Sequence, residues 1–374
     1  MKKVYLDNAS TTAIRPEVIQ EITRLMVEDY GNPSSTHSFG RNAKSVLELS
    51  RKSIAKQLNA AGSEIFFTSS GTEANNWILR SAVRDLGVQR IITTAVEHHA
   101  VLYPVLALQK EFGIQVDFVA ILADGSIDMT HLVELLSQNI PTLVSLMHVN
   151  NEVGVVLDIA RVAVICKEHQ ALFHSDTVQS IGKTEIDLKS LPVDFISASA
   201  HKFHGPKGIG FAFIRKNLGV QPLLLGGEQE KGMRGGTESI YQVAGMAKAL
   251  EMAYANLEKE RAYITDLKTY CCSRLTQVFP SSKIIGSKNG FYTIINVILP
   301  ITADKTGMLL FHLDIKGIAV SRGSACQSGS STPSHVLAEM LSPDELTHPS
   351  LRISLSHYNT KEDIDYLIEV LQSA

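Results

Sequence analysis

Seven runs in the first 214 residues are apolar at almost every position rather than at every second one: EIFFTS (64–69), RIITTA (90–95), IQVDFVA (114–120), TLVSLMHV (142–149), ALFHSD (171–176), VDFISASA (193–200) and GIGFAFI (208–214). A half-exposed strand alternates apolar and polar residues, whereas one covered on both faces does not. Between most of these runs, segments 71–87, 98–112, 130–138 and 158–170 carry apolar residues at helical spacing. The order predicts an α/β fold with a mainly parallel seven-stranded sheet between helices, in which sites form at the carboxyl ends of strands.

The flanks follow other patterns. RPEVIQEITRLMVEDYG (15–31) predicts a helix with Pro16 in its first turn and Gly31 at its end, and SFGRNAKSVLELSRKSIAKQLN (38–59) predicts a second, amphipathic one. Both read as an N-terminal arm that packs on other parts of the molecule. Residues 237–278 read as one long helix or two, followed by weaker strands at 291–299, 318–321 and 351–356 with helices between them. That tail predicts a second, smaller α+β domain.

Composition narrows the class. The 374 residues are 44% hydrophobic and 20% charged, with a formal net charge of −3 and no long basic run. Such a chain has no electrostatic footprint for nucleic acid or for an acidic membrane surface. MKKVYLDNASTT turns polar after six residues, unlike a signal peptide, and no run approaches the roughly 20 apolar residues of a membrane helix. Cys166, Cys271, Cys272 and Cys326 form no CxxC pair, so neither a disulfide framework nor a zinc site is expected, and a reducing cytoplasm fits.

The candidate chemistry gathers at predicted strand ends. SSGTEANN (69–76) lies between a strand and a helix, where backbone N–H groups and the Thr72 hydroxyl face a common anion. The same letters serve an ordinary N-cap from Ser70 or Thr72. Asp176 closes the FHSD run, where a carboxylate either pairs with a protonated ring nitrogen or caps a helix. Lys202, in SASAHKFHGPKGIGF (197–211), is framed by His, Pro and Gly at the end of an apolar strand, a setting seldom given to a surface lysine. A lysine for a Schiff base, an acid for a pyridine nitrogen and donors around a phosphate, with Ser199 and His201 beside the lysine, are what pyridoxal phosphate requires. His98, in VEHHAV (96–101), either lies over an aromatic cofactor ring or starts the next helix. HKFH (201–204) has no Cys or carboxylate at ligand spacing, which argues against a metal.

YLDNASTT, SSGTEANN, EHHAV, NNEVG, HSDTVQS, SASAHKFHGPKGIG, RGGTES, GSAC and LRISLS occur in this order from residue 5 to about residue 356. In that ordered set the chain resembles the cysteine desulfurases of the NifS/IscS type, within the class V aminotransferase family. The resemblance implies a homodimeric pyridoxal-phosphate enzyme of fold type I that takes sulfur from L-cysteine as an enzyme-bound persulfide and leaves L-alanine. It implies Lys202 as the Schiff-base lysine, Asp176 as the pyridinium partner, His98 as the ring-stacking acid–base group and Gln179 as the partner of the cofactor's phenolic oxygen. It gives the phosphate to Gly71, Thr72, Ser199 and His201, with Thr237 reaching across from the second subunit. Asn151 and Arg352 match residues that bind the substrate carboxylate, a task that suits a guanidinium fork, although a structural ion pair would use Arg352 equally well.

Cys326 matches the nucleophile that receives the sulfur. It lies in SRGSACQSGSSTPSHVL (321–337), whose small residues predict a mobile loop from which a thiolate attacks the substrate and then delivers its cargo. A buried apolar cysteine, the alternative, suits Cys166 and one of Cys271 and Cys272. The expected division is an N-terminal arm (1–15) joining the small domain, a large cofactor-binding domain (16–255) and a small C-terminal domain (256–374). The expected partners are a second copy of the chain and a sulfur-acceptor protein, either an iron–sulfur scaffold or a tRNA-thiolation enzyme, with no direct nucleic acid and no membrane.

Two departures from the family pattern stand out. Gln327 follows Cys326 where many members carry Thr, and the chain ends at Ala374, 22 residues past Arg352, short of the tail of scaffold-binding members. Another class V enzyme, an aminotransferase or a selenocysteine lyase, would share Lys202, Asp176 and the phosphate cradle. An aminotransferase would not need Cys326. A weakly active sulfur-transfer platform would have no use for Lys202, Asp176 and Arg352 together.

Overall fold

The computed structural model describes residues 2–287, 290–301, 306–323 and 334–373. In chain order, β1 (Val4–Tyr5) precedes α1 (Pro16–Glu28) and α2 (Ser38–Gln57). The sheet region follows as β2 (Ile65–Thr68), α3 (Gly71–Arg84), β3 (Arg90–Thr93), α4 (His99–Phe112), β4 (Gln115–Phe118), α5 (Met129–Leu136), β5 (Thr142–Ser145), α6 (Ile159–Glu168), β6 (Leu172–Asp176), β7 (Phe195–Ser199) and β8 (Gly210–Ile214). Next come α7 (Ile240–Ala255), α8 (Leu257–Val278), β9 (Lys283–Ile285), β10 (Ile294–Ile298), α9 (Thr306–Ile315), β11 (Ile318–Ala319), α10 (His335–Ala338), β12 (Ser350–Ser354) and α11 (Lys361–Gln372). Among the described residues no helix is long and apolar enough to cross a membrane.

Each of the seven apolar runs contributes a strand to one sheet, ordered β2-β8-β7-β6-β5-β3-β4. Only β8 runs against the others, pairing antiparallel with both β2 and β7. The lack of alternation has its cause in two cores. Phe67, Ile92, Val144, Ile196 and Phe213 face one core, shared with α2, α5, α6 and α7. Their neighbours Phe66, Ile91, Leu143, Phe195 and Ala212 face the other, shared with α3 and α4. Successive strand side chains point to opposite faces, so covering both faces demands an apolar residue at every position.

The N-terminal helices belong to the first of these cores through Val18, Ala43, Leu47 and Ile54. Pro16 stands at the first helical position of α1, where its missing N–H leaves no carbonyl unserved. The 237–278 segment resolves into two helices that break at Asn256, whose N–H and side-chain amide both donate to the Met252 carbonyl.

The remaining strands form a three-stranded antiparallel sheet, β12-β10-β9, and a two-stranded parallel pair, β1-β11. Ile295, Val297, Leu351 and Ile353 share a separate core with Leu267, Cys271 and Leu275 of α8 and Leu367 and Leu371 of α11. Val4 and Leu6 lie in that same core, so the chain start packs with its far end. Cys166 and Cys271 are buried free thiols, pushed well above the ordinary thiol range by burial.

Candidate active site

Because β2, β3, β5, β6 and β7 run in parallel, their carboxyl ends meet along one edge of the sheet. A cleft of about 240 Å³ opens there, and almost every residue singled out in the sequence lines it. Gly71 and Thr72 follow β2, His98 follows β3, Asn151 follows β5, Asp176 and Gln179 end β6, and Ser199, His201 and Lys202 end β7. Arg352 reaches the same cleft from the middle of β12.

At the start of α3, Ser70 caps the helix by accepting from the Glu73 N–H at 3.2 Å, while Glu73 accepts from the Ser69 N–H at 2.7 Å. Capping and an anion-facing helix start therefore coexist. Gly71 is required by close approach: a Cβ there would lie 2.6 Å from a Val178 methyl. His98 is likewise both helix start and cleft wall. Its Nδ1 accepts from the Ala100 N–H at 3.1 Å, so the neutral ring carries its proton on Nε2. Burial holds the His98 pKa below the ordinary imidazole value, against the pull of Asp176.

Asp176 is oriented on both oxygens, accepting from the Asn75 amide at 2.8 Å and from the Val178 N–H at 3.0 Å. The Lys202 ammonium donates to the carbonyls of Ala9 and Ser10 at 2.7 and 2.8 Å, and the Gln179 amide also donates to Ala9, at 2.9 Å. His201 pairs with the Thr11 hydroxyl at 3.1 Å, and burial, reinforced by Lys202, pushes it down to about 3. The histidines of HKFH part company: His204 turns to the Ala13 carbonyl at 2.8 Å.

Arg352, 1% exposed, donates to Asp7 at 2.8 Å, to Ser10 at 2.6 Å and to the Asn151 carbonyl at 3.0 Å. This guanidinium is thus an ion-pair partner and a cleft residue at once. Three buried polar atoms of lining residues, Asn75 Oδ1, Gln179 Oε1 and Arg352 Nε, have no partner among the described residues. Unpaired buried polar atoms are costly, and a polar ligand in the cleft would satisfy them.

Thr237 lies elsewhere, exposed in a neighbouring depression with Ser69, Glu230 and Arg234. Its loop is tied to the start of α3 by the Arg234–Glu73 pair at 2.8 Å. Cys326, the expected nucleophile, lies outside the described residues. Sequence reasoning did not reach Asp7, Ala9, Ser10, Asn75 or Glu97. The YLDNASTT and SSGTEANN blocks hold four of these, but their roles depend on contacts across the chain. Glu97 is 1% exposed and, raised by burial, has a pKa of about 8; its carboxyl accepts from the N–H of Met147, another wall of the cleft, at 2.8 Å.

Comparison with known proteins gives a consistent picture. The family model described as Aminotransferase class-V matches residues 4–367. A protein of Dictyoglomus turgidum named Cysteine desulfurase IscS is 40% identical over 374 residues, 99% of this chain and 94% of that one. A solved structure described as a NifS-like protein superposes with a TM-score of 0.91 at 36% identity, covering 100% of both chains. Another, described as SspA in complex with cysteine, gives a TM-score of 0.82 at 31% identity over 96% of this chain and 100% of that one.

Proposed function

This chain belongs to the class-V aminotransferase family, among its cysteine desulfurases with the pyridoxal-phosphate fold type I, and we propose that its cleft removes sulfur from L-cysteine, leaving L-alanine. The observation that carries the reading is the convergence of Lys202, Asp176, His98, Gln179 and Arg352 on one cleft. The cofactor fits the donor set. Gly71, Thr72, Ser199 and His201 would hold its phosphate, Asp176, steadied by Asn75, its ring nitrogen, and Gln179 its phenolic oxygen. Lys202 would bond to it covalently. When bound, pyridoxal phosphate supplies an electron sink for charge developing at the substrate Cα.

The protein groups then divide the work. Arg352 and Asn151 receive the substrate carboxylate, and Lys202 takes the Cα proton. His98, neutral with its proton on Nε2, stands ready to exchange a proton with the substrate. The Cys326 thiolate attacks the substrate Sγ, forming an S–S bond. The C–S bond breaks, its electron pair remains with carbon, that carbon takes up a proton to become a methyl group, and Lys202 returns a proton to Cα to complete alanine. The sulfur stays on Cys326 as a persulfide, with no external oxidant. It then passes to an acceptor protein, of iron–sulfur scaffold or tRNA-thiolation type.

A homodimer belongs to this reading: Thr237 lies outside its own cleft, and in a dimer it would serve the partner's phosphate. The test is a single turnover with L-cysteine without reductant, followed by mass analysis of the peptides. The expected product is one added sulfur atom on the Cys326 peptide, absent in Cys326→Ala while cofactor absorbance persists. Sulfide release by Cys326→Ala at the unmutated rate would contradict it.

A further inference from the structure

An unassigned cluster lies where α10 meets the turns that carry His98 and Asn151. The Ser334 hydroxyl donates to Glu152 Oε2 and accepts from the N–H groups of Val336 and Leu337 at 3.1 and 3.3 Å, so it caps α10 and grips Glu152 together. His335 Nε2 stands 2.9 Å from the Glu97 carbonyl oxygen. A carbonyl only accepts, so this nitrogen carries the ring proton. The His335 ring also stacks on His99, with 4.6 Å between centroids.

The two gripped residues are direct chain neighbours of site residues: Glu97 precedes His98, and Glu152 follows Asn151. Both are essentially sealed from solvent, at 1% and 0% exposure. Asn150 ties their turns together, donating to the Val96 carbonyl at 3.0 Å and accepting from the N–H groups of Glu152 and Val153 at 2.9 and 3.1 Å. Gly323, at φ +64°, packs onto the same cluster; a Cβ there would lie 3.0 Å from Glu152 Oε2 and 3.2 Å from Ser334 Cβ. Asn296 of β10 supports the Glu152 carbonyl at 3.1 Å.

We propose that Ser334 and His335 are positioning residues: His335 sets His98 through the Glu97 carbonyl, and Ser334 sets Asn151 through the Glu152 carboxylate. The inference rests on the roles given above to His98 and Asn151. Val336 and Leu337 pack with Val96, Val153 and Val155, so α10 keeps an apolar anchor when either polar grip is removed. What the polar grips add is placement, and a displacement of about 1 Å at a reacting group costs on the order of 10²-fold in rate.

The two grips differ in what they hold, which gives a test with two directions. In the holoenzyme, His335→Phe keeps the stacked ring and loses the donor; it is expected to lower kcat for alanine formation about 10- to 100-fold, with KM for cysteine within about twofold. His335→Gln, whose amide nitrogen can reach the same carbonyl, should recover to within about threefold. Ser334→Ala should instead raise KM about fivefold with kcat little changed, Asn296 holding part of the turn, and Ser334→Thr should restore it. Should Ser334→Ala not fold, Ser334→Cys carries the same expectation with smaller amplitude.

If kcat and KM move together in both variants, in step with lost thermal stability and without recovery in the conservative variants, Ser334 and His335 are structural only and the proposal is overturned. His98→Ala belongs in the same series. An active wild type with unaffected His98→Ala would overturn the role of His98 itself, whereas an impaired His98→Ala beside an unimpaired His335→Phe would overturn the grip alone.

Discussion

The two main sheets serve the cleft in different ways. The seven-stranded sheet contributes by topology: five strands end at one edge, and each delivers a side chain within a few residues of its last ladder bond. The three-stranded sheet contributes one side chain, Arg352, from the middle of a strand. That guanidinium is aimed by an ion pair with Asp7, a hydroxyl of Ser10 and a carbonyl of Asn151. Backbone position brings the first set to the cleft, whereas Arg352 reaches it from another sheet and depends on its ion pair for aim. The sites should therefore fail differently. Strand-end residues lose chemistry when replaced, while Arg352 also loses the charge balance of its setting.

The largest effect is expected from Lys202→Ala, which would remove the proposed base and cofactor attachment together and should lower alanine formation by at least about 10⁴-fold while leaving Tm nearly unchanged. Arg352→Lys sharpens the contrast. It keeps the charge but loses the fork, and charge-assisted hydrogen bonds of about 1.5–3 kcal/mol predict a rise in KM for cysteine of roughly 10- to 100-fold, accompanied by a lower Tm. A KM unchanged in Arg352→Lys would break the assignment of Arg352 to the substrate. Gly71→Ala drives a methyl toward Val178 and should weaken cofactor retention about tenfold, read by dialysis and absorbance, with kcat restored at saturating cofactor. Asn75→Ala, which removes one donor from Asp176, should cost about fivefold in kcat.

The smallest effect is one of pH. Burial depresses His148 and His174 to about 4 and His201 and His204 to about 3, all at the large sheet, and His357 of the small-sheet region to about 4. Each folded pKa lies below the unfolded value near 6.5, so the unfolded chain takes up protons first as pH falls. The stability that depends on these neutral rings is complete above about pH 6.5 and is lost as pH drops through 4 toward 3. Glu97 acts in the opposite sense: raised to about 8, it contributes fully below its ordinary value of 4.5 and is lost as pH rises through 8. Hydrogen exchange at pH 4 should open the strand-end loops of the large sheet before β10 and β12; the reverse order would contradict this account.

Much of this arrangement was legible in the sequence because covering both faces of a strand leaves a local mark. All seven apolar runs contain strands, although 142–149 shortens to Thr142–Ser145: Leu146 and His148 still donate to the β6 carbonyls of His174 and Asp176, while Met147 and Asn151 line the cleft. β1 and β9 left no such mark. They are two and three residues long and exist only through pairing with β11 and β10. The same limit applies to the site. Lys202 and Asp176 are framed by their own neighbours, whereas Asn75 acquires its role from a carboxylate 101 residues away and Asp7 from a guanidinium 345 residues away. Glu97 stands beside two histidines, yet a carboxyl held by Met147 and Thr94 is a product of burial, which no local spacing announces.

The measurement that bears most directly on the central claim is the release of alanine and sulfide from L-cysteine by purified holoprotein with a thiol reductant. The account predicts equal amounts of the two products, none from Lys202→Ala or Cys326→Ala, and full cofactor absorbance in Cys326→Ala. A cofactor-bound protein that forms no alanine from cysteine, yet exchanges amino groups with keto acids, would contradict it.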